Sequence, residues 1–499
     1  MISFNNIPNT TRTPGVYAEV DNSRALKGLV QNPHKVLIVG QKHSDGNAAI
    51  NTLYGITSEI VADSYFGLGS ILDRMCRVFK KNNPNTELYA MALDSVAGVA
   101  ASGAIYFSVA LSHAGGVVST ADETINLMIN GSQIQLALTS GWSVGQVNSA
   151  MKALINANSM LPVTADTTAA SVLILQAVNS GTLGNYIDFR FNYYDGQSNP
   201  TCFGDSVMTS ALVGGSIDPS LEDVWSVIDN EQFQYIIQPY IDVTNLTLLE
   251  TELAKRFKPL EDKQGIGFGA VRANLASCTA LGNSRNSPHN TITGVYDSPN
   301  CPEEWAAAVG AIAANYLNND PARPLQYLAL VGMLPPPSAS RFTREERDTL
   351  LYDGISTFIV DSGGSALTER IITTYQTNAV GSIDPSYLDV ETLATLMEIR
   401  YQYKARMENR FLIPRFKLAD DSYPVQPGSF VITPKTIKGE IIALFTLLFQ
   451  QGLIENLEDF IKNLVVERNA SDVTRVDVLL PPDLINQFRV MASLIQFIL

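Results

Sequence analysis

Two glycine-containing segments have residue types that bind nucleotides in other proteins, but their spacing is wrong for that chemistry. The apolar run Lys35–Val39 ends at Gly40 and is followed by Gln-Lys-His-Ser. A dinucleotide-binding loop needs two further glycines there, because they let the backbone approach the pyrophosphate. The glycines of Gly265-Ile-Gly-Phe-Gly269 are spaced unsuitably as well. We interpret both segments as ordinary buried strands and expect no bound cofactor.

The residues that most often perform catalysis or bind metals are scattered. The four histidines stand in no metal-ligand spacing: His34, His43, His113 and His289. The four cysteines form no CxxC pair and are interpreted as buried free thiols: Cys76, Cys202, Cys278 and Cys301. No serine lies in a GxSxG elbow. We therefore expect no metal site, no catalytic residue and a protein that is not an enzyme.

A cluster of basic residues interrupts this acidic sequence. Within eighteen residues, Glu408 is the only acid among six basic side chains: Arg400, Lys404, Arg406, Arg410, Arg415 and Lys417. One interpretation is a solvated helix face whose ion pairs contribute about 0 to 1 kcal/mol each. The other is complementarity with an acidic neighbour, which selects partner and register more than affinity.

Both termini contain strand-like runs, where disorder is the usual expectation. The first run is Val16, Tyr17, Ala18, Glu19 and Val20. The second, Phe488–Leu499, has alternate positions at Val490, Ala492, Leu494, Gln496 and Ile498. These arms either pair within their own subunit or add strands to sheets of neighbouring subunits, the mode called β-augmentation.

The elements that would position these residues follow an α/β order. Strand and helix patterns alternate from Lys35 to Leu93 and resume from Phe233 to Tyr316, with helices predicted for Ser70–Lys80 and Pro302–Tyr316. Proline suits the first turn of a helix, and Glu303 and Glu304 suit its positive end.

Residues 99–214 differ in composition from the segments on either side. Only eight charged residues occur in the 117 residues from Val99 to Gly215, and alternating apolar runs are separated by glycine turns. One helix, Val144–Ala157, interrupts these strands. The pattern indicates a mainly β domain inserted into a discontinuous α/β core.

Helical periodicity dominates the region after residue 386. A long helix is predicted for Tyr387–Phe411, and a second contains Ile437, Ile441, Leu444, Phe445 and Leu448. A third is predicted after Gly452, with its apolar stripe at Leu453, Leu457, Phe460, Ile461 and Leu464. The second and third helices are expected to pack as a hairpin.

Composition excludes several classes of protein. The net charge of -15 argues against a duplex DNA binder, which needs a dense basic face, so we expect no direct nucleic-acid partner. The polar start of the sequence does not match a signal peptide, and Ile441–Phe449 is about half the length of a membrane span. We therefore expect neither export by that route nor membrane insertion.

A series of strings in the second half of the sequence has a recognisable order and spacing. They are Asp320-Pro-Ala-Arg-Pro-Leu-Gln326, Arg341-Phe-Thr-Arg-Glu-Glu-Arg347, Asp353-Gly354, Glu369-Arg370, Thr373-Thr-Tyr-Gln376, Lys417-Leu-Ala-Asp-Asp421 and Thr433-Pro-Lys-Thr-Ile-Lys438. In these strings the sequence resembles the tail sheath proteins of Mu-like contractile-tailed bacteriophages. The resemblance covers most of the chain and is weakest between residues 99 and 214.

This resemblance implies a structural subunit of the virion that is assembled in the host cytoplasm. Its partners would be other copies of itself in hexameric rings of a six-start helical tube, the tail tube protein, and baseplate and tail terminator proteins. The implied organisation is an arm at 1–24, core segments at 25–98 and 215–386, an outward-facing insertion at 99–214, an inner domain at 387–483 and an arm at 484–499.

In this family the tube-contacting helices lie in the C-terminal domain. They correspond to about residues 436–468 here, with the charged candidates Lys435, Lys438, Glu455, Glu458 and Lys462. Basic residues of the cluster described above, Arg400, Lys404, Arg406 and Arg410, are candidates for a contact with the tube or with another subunit. A baseplate or terminator protein that forms closed rings and a cytoplasmic α/β enzyme remain as alternatives.

Overall fold

The computed structural model confirms a mixed α/β fold with several separate sheets. It describes residues 13–15, 29–94, 98–107, 123–169, 172–200, 203, 207–426 and 428–498. The chain divides into two compact units. The large unit contains Pro33–Met397 and the segment from Asn486, and the small unit contains Glu398–Ile485 and the described residues up to Asn32.

The first part of the large unit supplies the centre of its main sheet. Its elements are β1 (Lys35–Gly40), β2 (Leu53–Gly55), α1 (Glu59–Phe66), α2 (Ile71–Asn82) and β3 (Glu87–Ala92). Four consecutive apolar residues of β1, Val36–Val39, are fully buried. Such a run is typical of a parallel strand covered on both faces, and it confirms the buried strand predicted from the sequence.

The described residues of the inserted region form two antiparallel sheets and one α-helix. Its elements are β4 (Ala100–Phe107), β5 (Glu123–Ile129), β6 (Ser132–Leu138), α3 (Val144–Ala157), β7 (Val163–Ala169), β8 (Val172–Ser180), a 3-10 turn (Thr182–Tyr186), β9 (Phe189–Phe191) and β10 (Val207–Val213). The strand orders are β10-β4-β8-β7 and β6-β5-β9. A capping box between Ser143 and Gln146 starts α3, whose residues Val147, Met151 and Ile155 pack into a separate apolar core.

The chain then returns to the main sheet. The elements are α4 (Glu222–Val227), β11 (Tyr235–Ile237), α5 (Val243–Phe257), β12 (Ile266–Arg272), α6 (Leu275–Asn283), β13 (Asn290–Val295), α7 (Pro302–Asn319), a 3-10 turn (Ser338–Ser340), α8 (Arg344–Tyr352), β14 (Thr357–Val360) and β15 (Ala366–Arg370). The sheet order is β13-β12-β11-β1-β3-β2, with all pairs parallel except β2 with β3. β14 and β15 form a separate hairpin.

A buried ionic network joins α2, α7 and the inserted sheets. The guanidinium of Arg74 binds Glu303 at 2.7 Å and Glu304 at 2.8 Å, and Asn130, at the end of β5, donates to Glu304 at 2.6 Å. Burial raises the pKa of Glu303, and Arg74 opposes that shift. One guanidinium faces two carboxylates, so removing Arg74 would leave buried charge without compensation.

The two ends of the insertion meet. The backbone of Val99 and that of Ser216 exchange two hydrogen bonds of 3.0 and 3.2 Å. The insertion is also tied to the main sheet through its charged side chains: Arg272 binds Asp188 at 2.8 Å, and Arg190 binds Asp297 at 2.9 Å. The inserted region is therefore a side branch whose strands do not alter the order of the main sheet.

The small unit contains helices and short strand pairs. The division between the units falls within α9 (Val390–Met407), which a π turn (Glu408–Leu412) extends; then follow β16 (Lys417–Leu418), β17 (Val431–Ile432), α10 (Pro434–Gln450), β18 (Ile454–Glu455), α11 (Leu457–Asn463), β19 (Val465–Arg468), β20 (Val476–Leu479) and β21 (Asp483–Leu484). Thr433 caps α10 through its side chain, and Pro434 occupies the first turn. The rings of Phe445 and Phe460 stack at 4.0 Å, which confirms the helix pair.

One expectation for this unit was wrong. The third helix begins at Leu457, not at Leu453, because Ile454–Glu455 pairs with Asp483–Leu484 as an antiparallel strand. Asn456 has a left-handed backbone (φ 50°), so the helix cannot extend backwards through it. The pattern of apolar residues alone does not reveal this distant pairing.

Candidate assembly surfaces

The ion pairs between the C-terminal segment and the rest of the large unit are made by Arg489. Arg489 donates from Nη2 to Asp389 at 3.1 Å and to Glu391 at 2.9 Å, and its side chain is 11% exposed. The next residue, Val490, is 82% exposed, and Ile498 is 99% exposed. Residues 486–498 form neither a helix nor a strand in the isolated chain. The C-terminal strand therefore stays a prediction that depends on a neighbour.

The predicted arm positions after Arg489 are all exposed: Val490, Ala492, Leu494, Gln496 and Ile498. The apolar residues between them are exposed too, namely Met491, Ile495 and Phe497. An uncovered segment of this length and polarity is typical of a binding element. The N-terminal candidates, Val16–Val20, lie outside the described residues.

The hairpin of β19 and β20 offers sheet edges that could receive such an arm. The two strands pair only with each other among the described strands, and Val465 and Leu479, which face each other across the pair, are both exposed. The backbone N–H of Asn469 donates to Arg475 O at 2.9 Å, and these two residues continue the register of the strand pair as a hydrogen-bonded pair. Hydrogen-bonded and non-hydrogen-bonded pairs alternate in antiparallel sheets. Val466 and Val478 therefore form a non-hydrogen-bonded pair whose N–H groups point away from the hairpin.

The basic cluster is partly neutralised inside the small unit. Arg406 donates from Nε to Glu440 of α10 at 2.6 Å, and Arg410 lies 3.7 Å from the same carboxylate. Arg400 is half-buried and Lys404 is exposed. Sequence reasoning named Glu408 as the nearby acid and missed Glu440, because its partner Arg406 lies 34 residues earlier and the two meet only through helix packing.

The five tube-facing candidates do not have equal exposure. Lys435, Glu458 and Lys462 are exposed, and Glu455 is half-buried. Lys438 is half-buried, and its ammonium donates to the carbonyl of Leu464 at 2.7 Å, at the end of α11. A cation at a helix C-terminus compensates the partial negative charge there, so Lys438 has a role within its own unit.

The buried histidines and cysteines among the described residues make packing contacts. His34 meets the Tyr235 hydroxyl at 3.1 Å, His289 packs on Phe257, and burial lowers the pKa of each imidazole to about 4. Cys76, Cys278 and Cys301 are buried free thiols, and burial raises the pKa of each. Among the residues that the structure describes, no group of three His, Cys, Asp or Glu side chains has a geometry that could hold a metal ion.

Comparison with known proteins identifies the family. A model of the phage tail sheath protein central domain matches residues 214–374, and a model of the phage tail sheath C-terminal domain matches residues 382–498. The Mu-like prophage FluMu tail sheath protein of Haemophilus influenzae is 38% identical over 499 residues, which is 100% of both chains. This chain belongs to the phage tail sheath family.

Solved sheath structures are more distant. A sheath tail protein from Desulfitobacterium hafniense is 14% identical, with a TM-score of 0.47 over 94% of this chain and 100% of that one. A sheath tail protein from Listeria innocua is 13% identical, with a TM-score of 0.48 over 92% and 94% of the two chains.

As a tail sheath protein, the chain is a non-enzymatic structural component of a contractile phage tail and thus of the virion. No helix among its described residues is long and apolar enough to cross a membrane.

The sequence strings on which the family resemblance rests make hydrogen bonds within the subunit. Glu369 accepts from Arg347 at 2.8 Å, and the amide of Gln376 donates to the carbonyls of Gly282 and Asp353, both at 3.1 Å. Gly354 has a left-handed backbone (φ 77°), where a side chain would also meet Gln376 at 2.9 Å. These strings thus have a structural role within the subunit.

Proposed function

We propose that this sheath protein polymerises as stacked hexameric rings in a six-start helix around the tail tube. Contraction of this sheath then drives the tube through the host envelope during genome delivery. The identity of 38% over the whole length with the tail sheath protein of a Mu-like prophage carries this proposal. The partners are other copies of the chain along the sheath, the tube protein inside it, and baseplate and terminator proteins at its ends.

The same proposal assigns roles to the regions of the chain. Residues 1–24 and 484–499 are the arms that link subunits, residues 25–98 and 215–386 form the core, residues 99–214 face outward, and residues 387–483 face the tube. Exposed charges at Lys435, Glu458 and Lys462 support a tube-facing role for α10 and α11. For the basic cluster, the pairing of Arg406 with Glu440 leaves Arg410, 60% exposed at its side chain, as the better candidate for an intersubunit or tube contact.

Linkage between subunits works by strand addition to the β19–β20 hairpin. A two-stranded hairpin is marginally stable alone, and each open edge presents unpaired N–H and C=O groups. The exposed apolar residues after Arg489 supply a segment that gains by being covered. Each added backbone hydrogen bond contributes about 0.5 to 1.5 kcal/mol, so an arm of five residues holds a neighbour by a few kcal/mol.

Such links are suited to a sheath whose identical subunits pack in two ways, before and after contraction. They hold neighbouring subunits together while the rigid cores slide past each other, and the segments near residues 22–30 and 480–486 absorb the change. The alternative, a closed ring, would need a contact that repeats without rise along the axis.

Electron microscopy of the purified chain across a concentration series tests the assembly. We expect long hollow tubes with a regular helical repeat, formed alone or after addition of the tube protein. Closed rings that never stack would favour a baseplate or terminator role. Dispersed subunits in the presence of tube protein would contradict the proposal.

Proline substitution in the hairpin tests the linkage. Val466→Pro and Val478→Pro each remove one outward N–H while keeping the bonds inside the hairpin, which proline tolerates at such edge positions. At least one of them should abolish tubes without unfolding the subunit. Val466→Thr and Val478→Thr keep the N–H and should polymerise like the wild type. Normal tubes from both proline variants would rule out strand addition at this hairpin.

A further inference from the structure

Arg489 marks an abrupt change in the C-terminal segment. Its guanidinium is held by two carboxylates, and one residue later the side chains are almost fully exposed. Two weaker contacts precede it: Gln487 donates to Ala322 O, and Gln326 donates to Phe488 O, each at 3.4 Å. The segment is therefore bound to the large unit up to Arg489 and free of it afterwards.

The acceptor for Arg489 is part of the buried framework. Glu391, in the first turn of α9, has a fully buried side chain and accepts the backbone N–H of Leu325 at 2.6 Å. Both oxygens of Asp389 accept from Arg370, at 2.9 and 2.8 Å. These four side chains, Arg370, Asp389, Glu391 and Arg489, are called the C-terminal clamp below.

The charges of the clamp explain why Arg489 is needed there. With Arg489 bound, two arginines face two carboxylates and the formal charge is zero. Without it, Glu391 would remain buried as an anion with only a backbone N–H to compensate it, which is costly in a low-dielectric environment. The large unit thus has a built site for one cationic, forked side chain from the C-terminal segment.

We infer that Arg489 is a positioning residue that fixes the origin of the C-terminal arm, so that the exchanged strand begins at Val490. This role rests on the proposed linkage of subunits by arms, whereas the clamp itself does not. From Val490 to Ile498 the extended chain spans about 30 Å. If the clamp and the two weaker contacts opened, the nearest remaining bond would be the one from the Ile485 N–H to Leu453 O, and the freed chain would span about 45 Å.

The fixed origin limits which acceptor the arm can reach. A nine-residue segment that starts at one defined point in the large unit reaches only those hairpins that lie within about 30 Å of that point. A longer free segment can also reach other neighbours or fold back, and the entropy lost on pairing is greater. The clamp therefore selects the neighbour rather than increasing the strength of the strand pairing.

Trypsin provides a direct test, because it cleaves after arginine. In the unassembled wild-type subunit, cleavage after Arg489 should be slow, since the side chain is held in the clamp. Glu391→Gln keeps Arg489 and an oxygen for the Leu325 N–H but removes the negative charge. We expect it to accelerate release of the segment that begins at Val490 by about tenfold or more, as measured by mass spectrometry.

Three controls separate the clamp from general loosening. Glu345→Gln removes an exposed partner of Arg344 and should leave cleavage after Arg489 unchanged. Cleavage after Arg475, whose side chain is 64% exposed and lies in the small unit, serves as the internal standard for the rate. Glu391→Asp keeps the charge and should restore slow cleavage at least in part. Equal rates after Arg489 in folded wild-type and Glu391→Gln subunits would overturn the clamp.

The positioning role has its own readout in assembly. Glu391→Gln should raise the concentration needed for tubes by about tenfold, or produce tubes with irregular repeats, while Glu391→Asp should assemble more nearly like the wild type. Normal tubes from a variant whose arm is released faster would show that the clamp anchors the segment without positioning it. If the wild type forms no tubes with tube protein, the proposed function fails, and the cleavage rates still decide the clamp.

Discussion

At the scale of single residues, the burial of His289 makes the stability of this subunit depend on pH. Its side chain is 4% exposed and its pKa is lowered to about 4, whereas an unfolded histidine titrates near 6.5. Between these two values the unfolded chain binds a proton that the folded chain does not. The contribution of neutral His289 to the free energy of unfolding is therefore fully present above pH 6.5 and is lost as the pH falls towards 4.

We predict that unfolding free energy of the subunit falls between pH 6.5 and 4.5 and that His289→Gln removes about 2 to 3 kcal/mol of this fall. Urea denaturation of unassembled subunits at several pH values measures it. Above pH 7 the difference between the two proteins should stay constant. An identical slope in both proteins from pH 6.5 to 4.5 would show that His289 does not contribute.

The ion-pair partners of single residues could not be predicted from the sequence. The arginines of the basic cluster were found from their spacing, but Glu440 was not, because an ion pair between two helices depends on how they pack. Arg489 lies 98 residues from Glu391 and 100 from Asp389. Nothing in the strand-like run Phe488–Leu499 indicates that Arg489 is held against the large unit while the residues after it are exposed.

At the scale of elements, local patterns were sufficient wherever an element is long and its caps are in the sequence. Helix α3 was predicted with its observed ends, and the structure shows that a capping box between Ser143 and Gln146 starts it. The two-residue strands β18 and β21 were not predicted. They exist only because each supplies the partner of the other, although the paired residues lie 28 and 30 positions apart in the sequence.

The insertion leads to a prediction at the same scale. Replacing residues 100–213 by a short Gly-Ser linker should give a folded subunit that still polymerises, because its ends meet at Val99 and Ser216. Its melting temperature should nevertheless fall by several degrees, because Arg272 and Asp297 lose charged partners and Glu304 loses the amide of Asn130. A buried group left without a partner costs about 1 to 3 kcal/mol. Calorimetry and electron microscopy measure the two effects.

A companion variant identifies the cause. Adding Arg272→Gln to the shortened chain removes a charge that lost its partner Asp188 and should recover part of the melting temperature. An unchanged melting temperature in the shortened chain would mean that these contacts contribute little. A folded shortened chain that forms no tubes would place the insertion in contacts between subunits.

At the scale of the whole molecule, the net charge of -15 opposes assembly. Many like-charged subunits are brought together in a sheath, and salt screens their repulsion over a Debye length of about 10 Å at 0.1 M. We therefore predict that the critical concentration for tubes falls as NaCl is raised from about 20 to 300 mM. Light scattering measures it, and an uncharged osmolyte at equal osmolality is the control.

The opposite result would also be informative. If salt raises the critical concentration, attraction between unlike surfaces outweighs the repulsion of the whole subunit. Arg410→Gln should then weaken assembly at low salt and reduce the salt dependence, which would make the basic cluster a contact between subunits.

The meeting of Val99 and Ser216 has a consequence for the order of folding. Strand β1 pairs with β3 nearby and with β11, which lies beyond the whole insertion. Closing a chain of that length costs entropy before the sheet gains any contact. Once the insertion has folded on its own apolar core, its ends are already side by side, and the remaining search for β11 is short. We therefore expect the insertion to form early in folding and the main sheet to close after it.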